Sequence, residues 1–232
     1  MAKENKQKIE EKSKVSVTLA DGAKEITPNE KEKKELEAAL NDSGYLEHAP
    51  EAVGYGNSQL QMLAYSLVAT HLPPDDSILD FGCGRGDFAK YYETNFKKKP
   101  NYIGVDMKQP LIEAGKSVHN NEVNLICSDW FKLDSKLIQD WCINVASNNL
   151  RYDADTITDL DYLHSTIESM YHHAKKGVVV LLTSTHSKVQ DGLINYNPGD
   201  LLNWSQQKFG YSAIDHTVSN DGFILLIYKN LK

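Results

Sequence analysis

The stretch DFGCGRGD, residues 80–87, decides the fold of this chain. It includes the end of a short apolar run, SILDF at 77–81, which has the length and composition of a buried strand. Its three glycines allow a tight turn and a close approach of a ligand to the backbone. The residues behind it have the pattern of a helix near 86–96, whose N-terminus offers free amide groups and a partial positive charge. The stretch therefore predicts a strand, a ligand-binding turn and a helix in succession.

Outward from this turn, apolar runs alternate with helical patterns. Further strands are predicted at 101–106, 123–129, 141–147, 177–184, 211–218 and 223–229, and further helices at 57–71, 109–118, 158–174 and 198–208. Such alternation predicts a parallel sheet covered on both faces. The last two strands are separated by a segment that contains Asp221-Gly222, which suits a tight antiparallel hairpin. We therefore expect an α/β, Rossmann-like fold with a mostly parallel seven-stranded sheet, a C-terminal antiparallel hairpin and helices on both faces.

The helix predicted at 57–71 has apolar residues at spacings of three and four, which form one stripe along its surface. We expect this stripe to face the core. Its members are Leu60, Leu63, Ala64, Leu67 and Val68.

Composition restricts the class of protein. The 232 residues carry a formal net charge of -7, and 41% of them are hydrophobic. An acidic protein is poorly suited to a phosphate backbone, so nucleic acid is not an expected substrate. No apolar run approaches the roughly 20 residues that cross a bilayer, and the start lacks the apolar stretch of a signal peptide. We expect a cytoplasmic protein without membrane association. The three cysteines form no C-x-x-C pair and so indicate neither a disulfide framework nor a metal site.

The first 50 residues are predicted to form a charged arm, followed by one domain over 51–232. Residues 1–26 are rich in Lys and Glu and show little periodicity. A capping box at Thr27-Pro28-Asn29-Glu30 then predicts a short helix that runs to about Asn41. We expect this arm to be available to a protein partner.

Asp106 is the firmest single-residue prediction from spacing. It ends the second predicted strand, 20 residues beyond Gly86. A carboxylate at that position can accept hydrogen bonds from both hydroxyls of a ribose. The glycine pattern differs from the dinucleotide fingerprint G-x-G-x-x-G, which would require glycine where Asp87 stands.

The string D-x-G-x-G-x-G at 80–86 resembles motif I of class I methyltransferases, which bind S-adenosylmethionine. The resemblance implies that Asp80 lies near the methionine part of this cofactor. It assigns twelve residues to the cofactor pocket: Tyr55, Asp80, Gly82, Cys83, Gly84, Gly86, Asp106, Met107, Ser128, Asp129, Trp130 and Asn148. The order of parts from about Val53 onward is similar to a poorly characterised group of these enzymes in bacterial and phage genomes. Shared details are Val53-Gly54-Tyr55, Leu182-Thr183-Ser184, a weakly matching Tyr196-Asn197-Pro198 and His216.

Two of these assignments have structural alternatives. In the methyltransferases that this chain resembles, an Asp at the position of Asp129 contacts the adenine amino group, and a residue like Trp130 covers the ring. Asp129 could instead cap the following turn while Trp130 belongs to the core. Asn148 and Asn149 follow the fourth strand, where amino-group DNA methyltransferases carry an Asp/Asn-Pro-Pro-aromatic string. This chain lacks the prolines and the aromatic residue, so a capping role for the two asparagines is an equal alternative.

Methyl transfer from a sulfonium needs alignment and a dry site more than a base. If the acceptor must lose a proton, His216 is the candidate base, with His186 as the alternative. A solvated or structural role is the competing interpretation of each histidine. Many members of the group that this chain resembles carry an Arg near the position of Ala64 and a Glu at that of Gly222. If that Arg binds the carboxylate of the cofactor, Gln61 or Arg85 could take over this contact here.

The expected function is methyl transfer from S-adenosylmethionine to a small molecule or a glycan. Three alternatives remain. The chain could be a methyltransferase that acts on a protein or nucleic acid through the arm, a methyltransferase-fold subunit with an assembly role, or a nucleotide-dependent oxidoreductase.

Overall fold

The computed structural model describes Tyr55 and residues 58–150, 158–188, 193–217 and 221–229. Within these residues the helices are α1 Ser58–Ala69, α2 Asp87–Phe96, α3 Gln109–Val118, α4 Asp159–His173 and α5 Pro198–Phe209. The strands are β1 Ser77–Phe81, β2 Asn101–Asp106, β3 Asn124–Cys127, β4 Gln139–Val145, β5 Ala174–Thr183, β6 Ser212–Asp215 and β7 Gly222–Tyr228. Two single 3₁₀ turns follow β3 and β4, at Trp130–Lys132 and Ser147–Asn149.

The strands form one seven-stranded sheet in the order β3-β2-β1-β4-β5-β7-β6. Neighbours from β3 to β5 are parallel, whereas β7 is antiparallel to both β5 and β6. The predicted fold class and the antiparallel C-terminal pair are thus confirmed. The order reverses between β1 and β4, and in open α/β sheets ligands bind at such a reversal, outside the carboxyl ends of the strands.

Helices cover both faces of the sheet. On one face α1, α2 and α3 bury residues such as Val68, Phe88 and Ile112 against the sheet. On the other face α4 and α5 bury residues such as Leu163 and Leu201. Side chains of successive strand residues point to opposite faces, so strands between two helix layers are buried on both sides: β1 over its whole length and β5 over residues 177–182.

The predicted stripe on α1 is wrong in part. Leu60 and Leu63 are 52% and 43% exposed, whereas Tyr65 is 6% exposed and Gln61 is also buried. Tyr65 sets this orientation because its ring contacts those of Phe88 and two other tyrosines. The buried stripe is therefore the set Gln61, Ala64, Tyr65, Val68 and Ala69.

Several strand limits also differ from the prediction. β3 ends at Cys127, so Ser128 and Asp129 lie in the loop behind it. β5 begins at Ala174, directly after α4 and three residues before the predicted start at 177. The prediction missed these residues because Lys175 and Lys176 are exposed and not apolar, yet belong to the strand. The predicted helix near 27–41 and the boundary at residue 50 lie outside the described residues. No helix in the described ranges is both long and apolar enough to cross a membrane.

Candidate functional site

The glycine turn of residues 82–86 joins β1 to α2 and is bound to the end of β2. The amides of Gly82 and Cys83 both donate to the carbonyl oxygen of Val105, at 2.8 and 3.1 Å. Gly82, Gly84 and Gly86 have φ values of 74°, 57° and 76°. Residues with a Cβ rarely adopt this left-handed region, so the three glycines are what allow the turn to close.

Gly86 is also the point where α2 approaches the sheet. A Cβ built on Gly86 would lie 2.7 Å from Leu125 Cδ2 of β3. At the other end of the turn, a Cβ on Gly82 would overlap Ser147 Oγ. The turn is thus enclosed from β3 on one side and from the end of β4 on the other.

The Asp106 carboxylate lies directly against this turn. Its Oδ2 accepts a hydrogen bond from the Gly84 amide at 2.9 Å, and its Oδ1 accepts one from the Lys108 amide at 2.8 Å. Burial raises the pKa of Asp106, and the two backbone hydrogen bonds oppose that effect. The glycine turn and the carboxylate at the end of β2 therefore converge, as the sequence spacing requires for a shared ligand.

Asp80 is a second buried carboxylate at this edge, on β1 beside β2. It is 2% exposed, and its Oδ2 accepts a hydrogen bond from the Tyr102 hydroxyl at 2.7 Å. Its Oδ1 is buried without a hydrogen-bond partner in the part of the chain that the structure describes. Burial raises the pKa of Asp80 to about 7, the charge of Asp106 adds to the rise, and the Tyr102 hydrogen bond opposes it. Two buried carboxylates with an unused oxygen form a site suited to a cationic group.

Tyr55 closes the same region from the N-terminal side. Its hydroxyl donates to the carbonyl oxygen of Val145 at 3.1 Å, and its ring contacts Tyr65 of α1. Burial and the nearby charge of Asp80 raise the pKa of Tyr55, so its hydroxyl stays protonated. Tyr55 thus belongs to the surroundings of Asp80.

Three further residues that were predicted to bind the cofactor, Cys83, Met107 and Ser128, lie close to Asp106. Cys83 is buried in the turn, with Sγ 3.5 Å from the Gly84 carbonyl oxygen. Met107 follows Asp106 directly, and the Ser128 amide donates to the Asp106 carbonyl oxygen at 3.0 Å. The ends of β1, β2 and β3 thus bring these residues together.

Asp129 caps the turn that follows it, and Trp130 belongs to the core. Asp129 Oδ1 accepts a hydrogen bond from the Phe131 amide at 3.0 Å and caps the 3₁₀ turn. Trp130 is 2% exposed, and its ring contacts Phe81 and Tyr162 in the core. Because no face of this indole is open, the structure favours a core role for Trp130, and its contact with adenine stays a prediction.

Both residues suggested to replace the missing Arg have contacts within the protein, although Arg85 Nη1 has no hydrogen-bond partner among the described residues. Gln61 Nε2 donates to the Tyr65 hydroxyl at 3.0 Å. Arg85 is buried, and its Nε and Nη2 both donate to Asp87 Oδ2, at 3.1 and 2.8 Å. His119 Nε2 lies 3.3 Å from the other Asp87 oxygen. Although burial raises the pKa of Asp87, these two neighbours lower it overall.

The end of β4 and the turn after it bring three polar side chains to the reversal point. Asn144 Nδ2 donates to the Phe81 carbonyl oxygen at 2.8 Å and so connects β4 to the end of β1. Asn148 is 1% exposed, and neither atom of its amide has a hydrogen-bond partner within the described ranges. Asn149 Oδ1 accepts a hydrogen bond from the Thr183 amide of β5 at 3.0 Å. The structure thus separates the two asparagines: Asn149 connects two strands, and Asn148 does not.

His216 and His186 meet at the same edge of the sheet. β5 and β6 run in the same direction because both are antiparallel to β7, and each histidine follows the carboxyl end of its strand. The ring centroids are 5.3 Å apart, and His216 also contacts Phe223. His216 Nε2 is buried without a hydrogen-bond partner among the residues described. His172 and His173 lie elsewhere, and His173 Nδ1 is 2.7 Å from the Leu137 carbonyl oxygen.

Sequence reasoning missed Tyr102 and gave Tyr196 little weight. Tyr102 reaches Asp80 because β1 and β2 pair with Asp80 opposite Gly104, two residues beyond Tyr102. Tyr196 donates from its hydroxyl to the Asn148 carbonyl oxygen at 2.8 Å. The weak Tyr-Asn-Pro match was the sequence signal for the contact of Tyr196 with Asn148. The contact of Tyr102 with Asp80 depends on the register of β1 and β2, which the sequence does not indicate.

Comparison with known proteins gives the following. A family model described as methyltransferase domain matches residues 72–220. No curated protein sequence matches this chain. The PH0226 protein from Pyrococcus horikoshii OT3 has a similar structure, with a TM-score of 0.59, 14% identity, and coverage of 77% of this chain and 93% of its own.

Two further similar structures contain ligands. The 1,6-didemethyltoxoflavin-N1-methyltransferase of Burkholderia thailandensis, with 1,6-didemethyltoxoflavin and S-adenosylhomocysteine bound, has a TM-score of 0.56 and 12% identity, and the match covers 91% of this chain and 93% of that one. CalS10, an amino pentose methyltransferase of Micromonospora echinaspora with S-adenosylmethionine bound, has a TM-score of 0.52 and 14% identity, with coverage of 75% and 93%. At these identities the likeness establishes the fold.

Proposed function

This chain belongs to the methyltransferase-domain family, and from that premise we propose that it transfers a methyl group from S-adenosylmethionine to a small molecule or a glycan. The observation that carries the proposal is the convergence of the glycine turn and the Asp106 carboxylate, beside the unused oxygen of Asp80. A turn, a carboxylate pair and a crevice at the strand reversal together form a site for a cationic nucleoside.

The residues present fit S-adenosylmethionine. Asp106 would bind the ribose hydroxyls with the lone pairs that its two backbone hydrogen bonds leave free. Asp80 would bind the positively charged methionine end through Oδ1, which is buried and unpartnered within the described residues. The glycine turn would lie against the ligand because no side chain projects from Gly82, Gly84 or Gly86. Met107, Ser128 and Asp129 would surround the adenine.

When bound, the cofactor supplies a methyl group already activated by its attachment to a sulfonium. The chain's own residues then have to align the acceptor and exclude water, effects that can contribute roughly 7–11 kcal/mol when the reacting atoms are well placed. His216 Nε2 is buried and without a hydrogen-bond partner in the described ranges, so it could accept a proton from an acceptor hydroxyl or amine. His186 lies close enough to influence the orientation of that ring.

Two observations favour a small acceptor. The two similar structures with bound ligands are methyltransferases of 1,6-didemethyltoxoflavin and of an amino pentose. The net charge of -7 disfavours a phosphate backbone. A methyltransferase that docks a macromolecule through residues 1–50 remains the second candidate.

Calorimetry with S-adenosylmethionine and S-adenosylhomocysteine tests the proposal on the full-length chain. We expect saturable binding of both, with affinity reduced about 10- to 100-fold in Asp106→Asn, because a neutral amide replaces a carboxylate that accepts two charge-assisted hydrogen bonds. Asp75→Asn is the matched control, since the Asp75 side chain is 85% exposed. Absence of binding at millimolar ligand would contradict the enzymatic function and favour an assembly role.

A further inference from the structure

Asn148 follows β4, and its side-chain amide makes no hydrogen bond within the described part of the chain. The residue is 1% exposed, and neither Nδ2 nor Oδ1 has a hydrogen-bond partner in the part of the chain that is described. Buried side-chain amides are nearly always paired. An amide that is enclosed and that pairs with none of the described residues is therefore a candidate contact for a bound ligand.

The backbone around Asn148 is held firmly, so a loose loop does not explain the unpaired amide. We name residues 193–196 the strap. The strap connects the loop after β4 to the end of β5: Tyr196 hydroxyl donates to the Asn148 carbonyl oxygen, Ile194 amide to that of Asn149, and Tyr196 amide to that of Thr183, each at 2.8 Å. Tyr196 is itself buried, at 4% exposure. Asn148 is thus positioned from two sides, while its enclosed amide pairs with none of the described residues.

The order of the strands places Asn148 on the acceptor side of the crevice. Asp106 and Ser128 follow β2 and β3, on one side of β1, whereas Asn148 and Thr183 belong to β4 and β5 on the other. Adjacent strands are about 4.8 Å apart, so the ends of β2 and β4 are separated by roughly 10 Å. A nucleoside held over β2 and β3 leaves the ends of β4 and β5 to the second substrate.

We propose that Asn148 binds the methyl acceptor through a pair of hydrogen bonds, and that the acceptor carries a hydrogen-bond donor next to an acceptor atom, as in a lactam or an amino-substituted nitrogen heterocycle. A carboxamide offers an N–H donor and a carbonyl acceptor side by side. Rotating the amide by 180° exchanges the positions of these two groups, and the ligand still needs one acceptor atom next to one donor. This rests on the proposed function and moves Asn148 from the cofactor, to which the sequence resemblance assigned it, to the acceptor. Tyr196 is the positioning residue that holds it.

The enclosed position also suits the reaction. Because Asn148 is buried beneath the strap, an acceptor that reaches its amide is shielded from water. His216 follows β6, which the sheet order places beyond β5 and β7 on the same side. The proposal therefore gives the acceptor two polar contacts from this side of the sheet, the Asn148 amide and the His216 imidazole.

The test uses the full-length protein saturated with S-adenosylhomocysteine and three related probes: 2-pyridone, its isomer 3-hydroxypyridine, and 1-methyl-2-pyridone, in which a methyl group replaces the N–H hydrogen. Only 2-pyridone presents an N–H donor beside a carbonyl acceptor. Titration followed by nuclear magnetic resonance should give a millimolar dissociation constant for 2-pyridone and values about tenfold or more higher for the other two. Equal binding of the three probes, or no binding of 2-pyridone at 50 mM, would overturn the proposal without any variant.

Variants then locate the contact. Asn148→Leu and the smaller Asn148→Ser should each raise the 2-pyridone dissociation constant about tenfold and change that of S-adenosylhomocysteine less than about twofold. Tyr196→Phe should raise only the 2-pyridone value, about three- to tenfold. Asn101→Leu, at an exposed residue where β2 begins, is the matched control and should change neither.

The outcomes separate this proposal from the proposed function. Loss of S-adenosylhomocysteine affinity in Asn148→Ser would make Asn148 a cofactor residue and refute the acceptor assignment. Undiminished 2-pyridone binding in both Asn148 variants would place the probe at another site and refute the acceptor assignment. Failure of the unmodified protein to bind S-adenosylhomocysteine would instead count against the methyltransferase function itself.

Discussion

Replacing Asp80 by Asn should make the ligand-free protein more stable and its binding of S-adenosylmethionine weaker. Asp80 is 2% exposed, and burial raises its pKa from the ordinary value of 3.8 to about 7. Asn has the same shape and can still accept the hydrogen bond from Tyr102. The substitution therefore removes the charge while it keeps the contacts.

The size of the effect on stability follows from the pKa. The gap between 3.8 and about 7 corresponds to roughly 4 kcal/mol of unfavourable free energy for the buried carboxylate. The folded protein holds this proton more tightly than the unfolded chain does. The penalty is therefore absent below about pH 4, grows as the pH rises from about 4 to 7, and is complete above about 7. Asp80→Asn should accordingly stabilise the ligand-free protein more at pH 8 than at pH 5, by a difference of roughly 2.5 kcal/mol.

Urea unfolding of the ligand-free protein at pH 5 and pH 8 measures this difference. Asp75→Asn serves as the control because that side chain is 85% exposed. If Asp80→Asn gives the same change in unfolding free energy at both pH values, Asp80 does not carry a raised pKa and the reasoning is refuted.

Binding should change in the opposite direction. A bound cation favours the carboxylate, so wild-type affinity for S-adenosylmethionine should rise about tenfold between pH 6 and pH 8 as Asp80 loses its proton. The α-amino group of the ligand titrates in a similar range, but it does so equally with both proteins. The Asp80→Asn variant should therefore lose the part of the pH dependence that belongs to the protein, which calorimetry in buffers of different ionisation enthalpy can measure. A variant with the full wild-type pH dependence would exclude Asp80 from the cofactor site.

Two further predictions concern stability. Gly86→Ala should destabilise the fold by roughly 2–4 kcal/mol. The φ of 76° is unfavourable for Ala, and the new Cβ would lie 2.7 Å from Leu125 Cδ2. A thermal unfolding temperature equal to that of the wild type would contradict this prediction. Lys229→Met should lower stability by about 1–2 kcal/mol, because Lys229 Nζ donates to the carbonyl oxygens of Tyr171 and Ala174 at the end of α4, at 2.6 and 2.8 Å. Urea unfolding measures the second effect, and Lys188→Met, at an exposed position, is its control.

The parts of the site that could be predicted are those fixed by distance along the chain. A strand, a glycine turn and a helix follow one another within residues 77–96, and the next strand must end near Asp106, so the convergence of turn and carboxylate could be inferred from spacing. The contact between Tyr102 and Asp80 could not, because it depends on how β1 and β2 align. The enclosure of Asn148 depends on the strap, which lies 45 residues further along the chain.

Helix α1 shows a second limit of sequence patterns. Two overlapping apolar stripes are possible on its surface, one through Leu60 and Leu63 and one through Gln61 and Tyr65. Hydrophobicity alone favours the first. The structure adopts the second because the Tyr65 ring meets Phe88 on α2, a tertiary contact that outweighs the burial of two leucines.

The unpaired buried groups at the carboxyl edge connect these predictions. Asp80 Oδ1, Asn148 Nδ2 and Oδ1, and His216 Nε2 are all buried without hydrogen-bond partners within the described residues, and all follow or end strands at one edge of the sheet. Each reduces the stability of the ligand-free protein, since a buried polar group without a partner costs about 1–3 kcal/mol. A ligand that pairs with them recovers that free energy on binding. Substitutions that remove the unpaired group should therefore raise stability and lower affinity together, whereas substitutions elsewhere in the core, such as Gly86→Ala, should lower stability with no such gain.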